Sequence, residues 1–526
     1  MLGPVERDVM AQLFAAVPDE MGAVLVRSAR SPNIRERRDS SAALFTAAGE
    51  LIAQAAHIPV HLGAMPDAVA AVIRKGARAG DVWMLNDPYT GGTHLPDITV
   101  IEAVASTTVP PLRQTPGAVA LRGAYDPPIA YAVVRAHHAD VGGTRPGSMP
   151  PGARTLAEEG VIIPPTRIVA EGELLEEVLE RLTAPMREPD VRRADCAAQL
   201  AAAARGAERW RELIARYGRS WLENAVADLL AYAERRTRAA LAELRAGVYE
   251  AEDALEGDGV GDAPLPIRVR VTVGDGALDI DFRGTSPAAV GNVNCPLSVT
   301  RSAALFAARC LIPEDVPTNG GVARCVNVSA PEGCLVNARA PRAVAAGNVE
   351  TSQRIADVLL LALAQAGAPL VAQGQGTMNN LVLGTDRWTY YETIGGGQGG
   401  GPNGPGPSGV HVGMSNTMNT PVEVLEMELP IRVERYALRR GSGGAGSAAG
   451  GDGVIRELRV LEPCSLSLIT ERRTRAPRGL QGGGDGAPGR NLVNGAPVGA
   501  KVALELQAGD VVRVETPGGG GYGNRR

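Results

Sequence analysis

Between Asp87 and Asp97 the chain reads Asp-Pro-Tyr-Thr-Gly-Gly-Thr-His-Leu-Pro-Asp, a stretch that leaves the backbone few choices. Proline removes a backbone donor and glycine opens positive φ, so this composition specifies a shaped loop and excludes both helix and central strand. His94 and Asp97 stand three apart, with Leu95 and Pro96 between them. On an extended strand their side chains would point to opposite faces. A turn at the proline instead brings imidazole and carboxylate together, as a divalent cation requires. A loop Asp that caps a turn beside a hydrogen-bonded His fits the same residues, and the stretch alone leaves both readings open.

The histidines sharpen the question. The chain has 6, at 57, 61, 94, 137, 138 and 411, so all but one precede residue 139. His57 and His61 flank Pro59 in Ala-His-Ile-Pro-Val-His-Leu-Gly, where the proline rules out a regular helix, and the spacing places both on one face of an edge strand. There they would bind metal, touch substrate or act as hydrogen-bonded pocket walls. His137 and His138 end a strand over 129–134 in Arg-Ala-His-His-Ala-Asp-Val-Gly-Gly, which also holds Asp140. Asp39 opens Ser-Ser-Ala-Ala-Leu-Phe after a charged run, and a carboxylate beside an apolar strand is costly unless paired or metal-bound.

At 526 residues, with 44% hydrophobic and 21% charged side chains, the chain can bury a large core and divides into more than one region. A net charge of −5 and an aromatic content of 3% give no basic footprint and no base-stacking platform for nucleic acid. The 6 cysteines are scattered without a Cys-x-x-Cys pair and read as reduced structural thiols. Cys295 and Cys325 are the candidates for reactivity, and neither has an adjacent His. The N-terminus lacks the apolar run of a signal peptide, and the longest apolar run, Val358 to Ala364, is too short to span a bilayer, so the expected location is cytoplasmic.

Apolar spacing predicts a helix over 5–29 that Pro18 kinks or divides, a helix over 65–75 ending at Gly76, and strands at 82–85 and 98–104. Residues 105–128 read as an excursion, and 144–190 as loop with one short helix. A helical region over 191–246 breaks at Gly218 and carries Leu200, Trp210, Leu213, Tyr217, Trp221 and Leu229 toward a core. Alternation over 267–273 and 278–282 around Gly-Asp-Gly marks a hairpin, with helices at 298–310 and 349–366 beyond it. Gly395–Gly400 matches Gly-x-Gly-x-x-Gly, but prolines follow where a helix should, so it fails as a dinucleotide site. The clusters near 440–453, 480–489 and 518–523 read as loops. The expected class is α+β: a mixed metal-site region over 1–190, a helical region over 191–260, and a β-rich, mainly antiparallel region over 261–526.

With these residues in view, the chain resembles the B-type subunit of ATP-dependent hydantoinases and oxoprolinases, a family that includes subunits of caprolactamase and of acetone and acetophenone carboxylases. The resemblance runs nearly end to end. It is carried by Arg-Asp-Ser-Ser (38–41), His-Ile-Pro-Val-His-Leu-Gly (57–63), Asn-Asp-Pro-Tyr-Thr-Gly-Gly-Thr-His-Leu-Pro-Asp (86–97) and Arg-Ala-His-His-Ala-Asp-Val-Gly-Gly (135–143). Pro-Gly-Ser-Met-Pro (146–150), Glu-Thr-Ser-Gln-Arg-Ile (350–355), Asn-Thr-Pro-Val-Glu (419–423) and Thr-Pro-Gly-Gly-Gly-Gly-Tyr-Gly (516–523) follow in order. Two departures stand out: the 105–128 excursion lengthens the gap from Asp97 to His137, and 399–408 lacks an Asp-Gly expected there.

The resemblance implies a hetero-oligomer in which an A-type, actin-like ATPase subunit binds ATP and phosphorylates a carbonyl or amide oxygen. The B-type subunit then holds a divalent metal, Zn, Mn or Fe, where the activated substrate is hydrolysed. Carried over by position, Asp39, His94, Asp97 and His137 are the metal ligands and catalytic residues. His57, His61 and His138 line the substrate pocket, and His138 and Asp140 orient the ligands. The implied reaction is ring opening of a cyclic amide of the hydantoin, oxoproline or lactam type. The rivals are a ketone carboxylase subunit and a non-catalytic scaffold for the ATPase.

Overall fold

The structure, a computed structural model, describes residues 2–56, 58–106, 127–170 and 172–525. His57 and residues 107–126 of the expected excursion lie outside the described residues.

Strands β1 (Ser40–Thr46), β2 (Leu51–Ala56), β3 (Val82–Leu85), β4 (Asp97–Val104), β5 (Ala130–His137), β6 (Thr166–Ala170) and β7 (Glu173–Leu174) form one sheet in the order 2-1-5-4-3-6-7. Every neighbouring pair in it is antiparallel. β5 shows no alternation of polarity because both its faces are covered, and all its residues are buried. Ala130, Ala132, Val134 and Ala136 face the helices Pro4–Ser28 and Pro189–Tyr217, while Tyr131 and Val133 face Met65–Arg74 on the other side. This parity decides where each histidine at the strand's end points.

Helix Pro4–Ser28 runs unbroken through Pro18, where the sequence predicted a kink or division. Met10, Phe14, Val17, Met21 and Leu25 pack with Trp210 and Ala203 on one face, and tertiary packing of this kind, more than local propensity, holds a helix together. Among the described residues it is also the one helix long and apolar enough to cross a membrane by length and composition, which a search for uninterrupted apolar runs overlooks. Within 144–190 the chain forms two short helices, Leu156–Glu159 and Glu176–Thr183, and adds β6 and β7 to the sheet edge, more structure than expected. Trp221 is 40% exposed and stacks on Tyr217, so it does not join the core.

Beyond residue 246 the strands build three more sheets, with one parallel pair between Ala277–Asp281 and Val326–Ser329 and antiparallel pairing elsewhere. The predicted hairpin turns at Asp275 and Gly276, with φ of +52° and +66°, the two positive values that suit a twisted two-residue connection. Helices Leu297–Arg309 and Ser352–Gln365 pack on this half, so the class is α+β with mainly antiparallel sheets.

The glycine clusters near 395–406, 443–453 and 517–521 are packed backbone to backbone, where the sequence suggested plain loops. Gly444 N donates to Gly519 O, Gly519 N to Gly451 O, Gly451 N to Gln398 O and Gly400 N to Gly520 O, all at 2.8–2.9 Å. A Cβ on Gly397 would sit 2.0 Å from Gly451 O, and one on Gly450 2.0 Å from Gly519 O. Only glycine permits this approach. The segment 399–408 is thereby part of a structural layer.

Candidate metal centre

The loop from Asn86 to Asp97 is held by its own short side chains. Asn86 Nδ2 donates to Leu95 O and Val161 O, and its Oδ1 accepts from Ile163 N. Asp87 accepts from Tyr89 N and Thr90 Oγ1, closing the first turn. Gly91 has φ of +117°, and a Cβ on Gly92 would lie 2.2 Å from Asn86 O, so this compact path needs glycine at both positions. At the far end Asp97 N donates to His94 O at 3.1 Å, the turn that folds imidazole back onto carboxylate.

Asp97 and His137 then meet by register, as direct partners at the end of the β4–β5 ladder. His94 Nε2 lies 3.0 Å and His137 Nδ1 3.2 Å from Asp97 Oδ1, and the two ring nitrogens are 3.2 Å apart. All three side chains are buried. A triangle of this size matches the edge of a tetrahedral site, about 3.3 Å for ligand bonds of about 2.0–2.1 Å. Two imidazoles and one carboxylate are also the donor set that suits Zn, Mn or Fe(II). The outer nitrogens, His94 Nδ1 and His137 Nε2, have no hydrogen-bond partner among the described residues, so each ring's polar contacts are all made on the side facing Asp97. The residues present fit a divalent cation.

Asp97 Oδ2 is engaged separately. It accepts from Thr93 Oγ1 at 2.6 Å, faces His61 Nε2 at 3.3 Å and receives Asn348 Nδ2 at 3.4 Å, which leaves Oδ1 to the two histidines. Burial by itself would raise the Asp97 pKa, but the neighbouring His94 and His61 and the His137 bond hold it well below the usual carboxylate range. Burial lowers the His94 pKa, against the opposing pull of Asp97, so the ring offers a lone pair at neutral pH. The Tyr391 ring stacks on His137 with centroids 4.7 Å apart. Burial, with Asp39 nearby, raises the Tyr391 pKa well above its ordinary value, so its hydroxyl stays protonated and donates to Asn380 Oδ1.

The other expected site residues fall differently. Asp39 is buried and its charge acts on His94 and Tyr391, but it is not one of the three residues whose ligand atoms lie within 4.8 Å of one another. Its main-chain oxygen accepts from His137 N at 3.0 Å. His61 sits on a short turn, Pro59–His61, instead of an edge strand, and bonds Ser41 Oγ at 3.0 Å as well as Asp97, so it braces the carboxylate. His138 follows His137 by one residue and so faces the opposite side, where its Nε2 meets Gln199 of helix Pro189–Tyr217 at 2.9 Å. Asp140 accepts from Gly142 N, Gly147 N and Ser148 Oγ and pairs with Arg187, contacts that fold the 142–148 loop. Cys295 is buried, its thiol pKa is pushed well up by burial, and it points at Gly347 O; burial raises the Cys325 pKa as well. Neither is an activated nucleophile.

Sequence reasoning missed Thr93, Asn348 and Tyr391. Thr93 lies inside the loop already singled out, so its proximity was legible. Asn348 sits in Gly347–Thr351, a wide helical turn opening Ser352–Gln365, a feature that recurs at functional sites.

The sequence model of the family described as hydantoinase B/oxoprolinase matches residues 3–525. An uncharacterized protein from Methanocaldococcus jannaschii is 39% identical over 98% of this chain and 90% of its own length. The 5-oxoprolinase 1 of Arabidopsis thaliana is 36% identical over 99% of this chain, which spans only 42% of that longer protein. Among solved structures, the ATP-dependent caprolactamase from Pseudomonas jessenii superimposes with a TM-score of 0.87 at 27% identity, covering 100% of this chain and 92% of that one. By the extent of these matches the chain belongs to the hydantoinase B/oxoprolinase family.

Proposed function

We propose that this chain is the metal-dependent subunit of an ATP-dependent cyclic amidase, and that it hydrolyses a substrate phosphorylated by a partner A-type, actin-like ATPase subunit. The observation that carries the reading is the buried His94–Asp97–His137 triangle. The relatives support the reaction class, since caprolactamase and 5-oxoprolinase are each named for a cyclic amide. In this reading an A-type ATPase subunit supplies the ATP-binding role, and the reaction takes place in the cytoplasm.

Amide resonance makes direct ring opening slow, and phosphorylating the oxygen supplies a leaving group. His94 Nε2, His137 Nδ1 and Asp97 Oδ1 would hold the cation. When bound, such a cation supplies Lewis acidity, which makes water a nucleophile near neutral pH. Thr93, His61 and Asn348 fix the Asp97 carboxylate so that one oxygen stays turned to the histidines. The Asp39 carboxylate acts electrostatically on His94, and in this reading it orients the attacking water.

The test is ATP turnover and product analysis with both subunits present, over a panel of hydantoin, oxoproline and lactam rings. Ring opening coupled to ATP hydrolysis is expected, and H94A should assemble with the partner yet form no product. Turnover that requires bicarbonate would move the assignment to a ketone carboxylase. Loss of assembly together with turnover in H94A would favour a scaffold role.

A further inference from the structure

Behind the triangle lies a second feature that the proposed hydrolysis does not use. A cavity of about 320 Å³ opens against Tyr391 and Asn33, the two residues that back His137: Tyr391 stacks on its ring and Asn33 Nδ2 donates to its carbonyl at 2.7 Å. The wall carries four arginines, Arg30, Arg37, Arg192 and Arg387, against two glutamates, Glu188 and Glu428. Arg387 is paired with Glu462, and Glu428 with Arg35, which leaves three cations facing Glu188.

Two of those cations are buried with no ion pair among the described residues. Arg37 is 1% exposed; its Nη2 donates to the neutral hydroxyls of Thr393 and Thr417 at 2.8 and 3.0 Å, and its Nε and Nη1 have no partner among the described residues. Arg192 is also 1% exposed, and its Nε and Nη1 are likewise unpartnered. No carboxylate lies within ion-pair distance of either among the described residues; of the other fully buried arginines, Arg354 and Arg472 both bind Asp253 and Asp357, while Arg135 is held by neutral acceptors, Thr99 Oγ1 and Gly91 O, and lines no part of this cavity wall. An uncompensated buried charge is expensive, and guanidinium N–H pairs match the oxygens of phosphate. The hydroxyls of Ser31 and Thr420, without a hydrogen-bond partner among the described residues, lie on the same wall.

We propose that this cavity is a phosphoryl-binding subsite, in which Arg37 and Arg192 take the oxyanion of a small phosphorylated ligand or of released phosphate. Two guanidinium groups with additional hydroxyls suit a tetrahedral dianion better than a carboxylate, which a single arginine satisfies. Tyr391 separates the two sites by one aromatic ring, so a phosphoryl group held here stays next to the triangle without competing for its donors. The inference deepens the proposed reaction, because a phosphorylated substrate brings such a group. Its test reads binding, so the two ideas can fail separately.

The experiment is calorimetric titration of the purified full-length chain with inorganic phosphate, with acetate as the carboxylate probe. Saturable binding of one phosphate per chain is expected, weakened at least tenfold in Arg37→Met and in Arg192→Met and retained in His94→Ala. Acetate should bind at least tenfold more weakly. Should the arginine variants not fold, Thr420→Val, which removes only a hydroxyl from the wall, should weaken phosphate binding several-fold. No saturable binding to the wild type, unchanged affinity in folded Arg37→Met, or acetate binding as tightly as phosphate would each overturn the proposal. So would loss of phosphate binding in folded His94→Ala, which would place the anion at the triangle.

Discussion

Asp97 and His137 are paired across the β4–β5 ladder, and His137 Nδ1 sits 3.2 Å from Asp97 Oδ1. Because strand register sets this contact, a slip of one residue in either strand would turn that strand's side chain to the opposite face and part the pair. The centre is thus as rigid as the ladder that carries it, and only His94 depends on the preceding turn.

Removing one donor leaves two, too few for a stable site. Asp97→Asn and His94→Ala are expected to purify with under about a tenth of the metal bound by the wild type, which should carry roughly one divalent ion per chain. Elemental analysis of the purified proteins, with circular dichroism to establish folding, decides this. Full metal content in either variant would show that the triangle is not the binding site.

His61 touches Asp97 through Nε2 and is itself held by Ser41. Partners of this kind orient a ligand and typically change metal affinity by about 10–100-fold. His61→Phe should therefore bind metal in that weakened range, measured by competition with a chromophoric chelator. Ser41→Ala should show a smaller change in the same direction, since it loosens His61 without removing it.

Burial pushes the pKa of His138 down to about 4, against the pull of Asp195. Its folded value lies below the unfolded value of about 6.5, so the neutral ring is favoured by folding. That contribution is complete above the unfolded value and is lost as pH falls from about 6.5 toward 4, roughly 2 kcal/mol between pH 7 and 5. Thermal midpoints should fall less steeply over that interval in His138→Gln than in the wild type. Equal slopes would mean that the ring is not buried neutral.

The glycine layer makes a prediction remote from the chemistry. A Cβ on Gly519 would lie 2.1 Å from Gln398 O, a backbone atom that cannot swing aside. Gly519→Ala should destabilise by about 3 kcal/mol or more, at the upper end of overpacking costs. Gly274→Ala, where a Cβ would meet nothing within 4 Å, is the control and should change stability by under about 0.5 kcal/mol. Thermal denaturation of the two variants compares them directly.

The sequence alone determined the shape of the central loop, because proline and glycine act through their own backbones, and with it the turn that joins His94 to Asp97. It also determined that His137 and His138 must part company, since period-two alternation along β5 allows nothing else. What it did not contain was the remote half of the centre. Asn348 reaches Asp97 from 251 residues away, Tyr391 arrives from another sheet, and His61 turns inward on a short helical turn that its proline concealed. Nor did it separate a flexible glycine loop from a layer of backbones pressed together. Local composition and periodicity record only what neighbours along the chain impose. Contacts between segments far apart exist only once the sheets and helices have packed, and that packing brought the Asp39 charge to bear on His94 and buried Arg37 with no ion pair among the described residues.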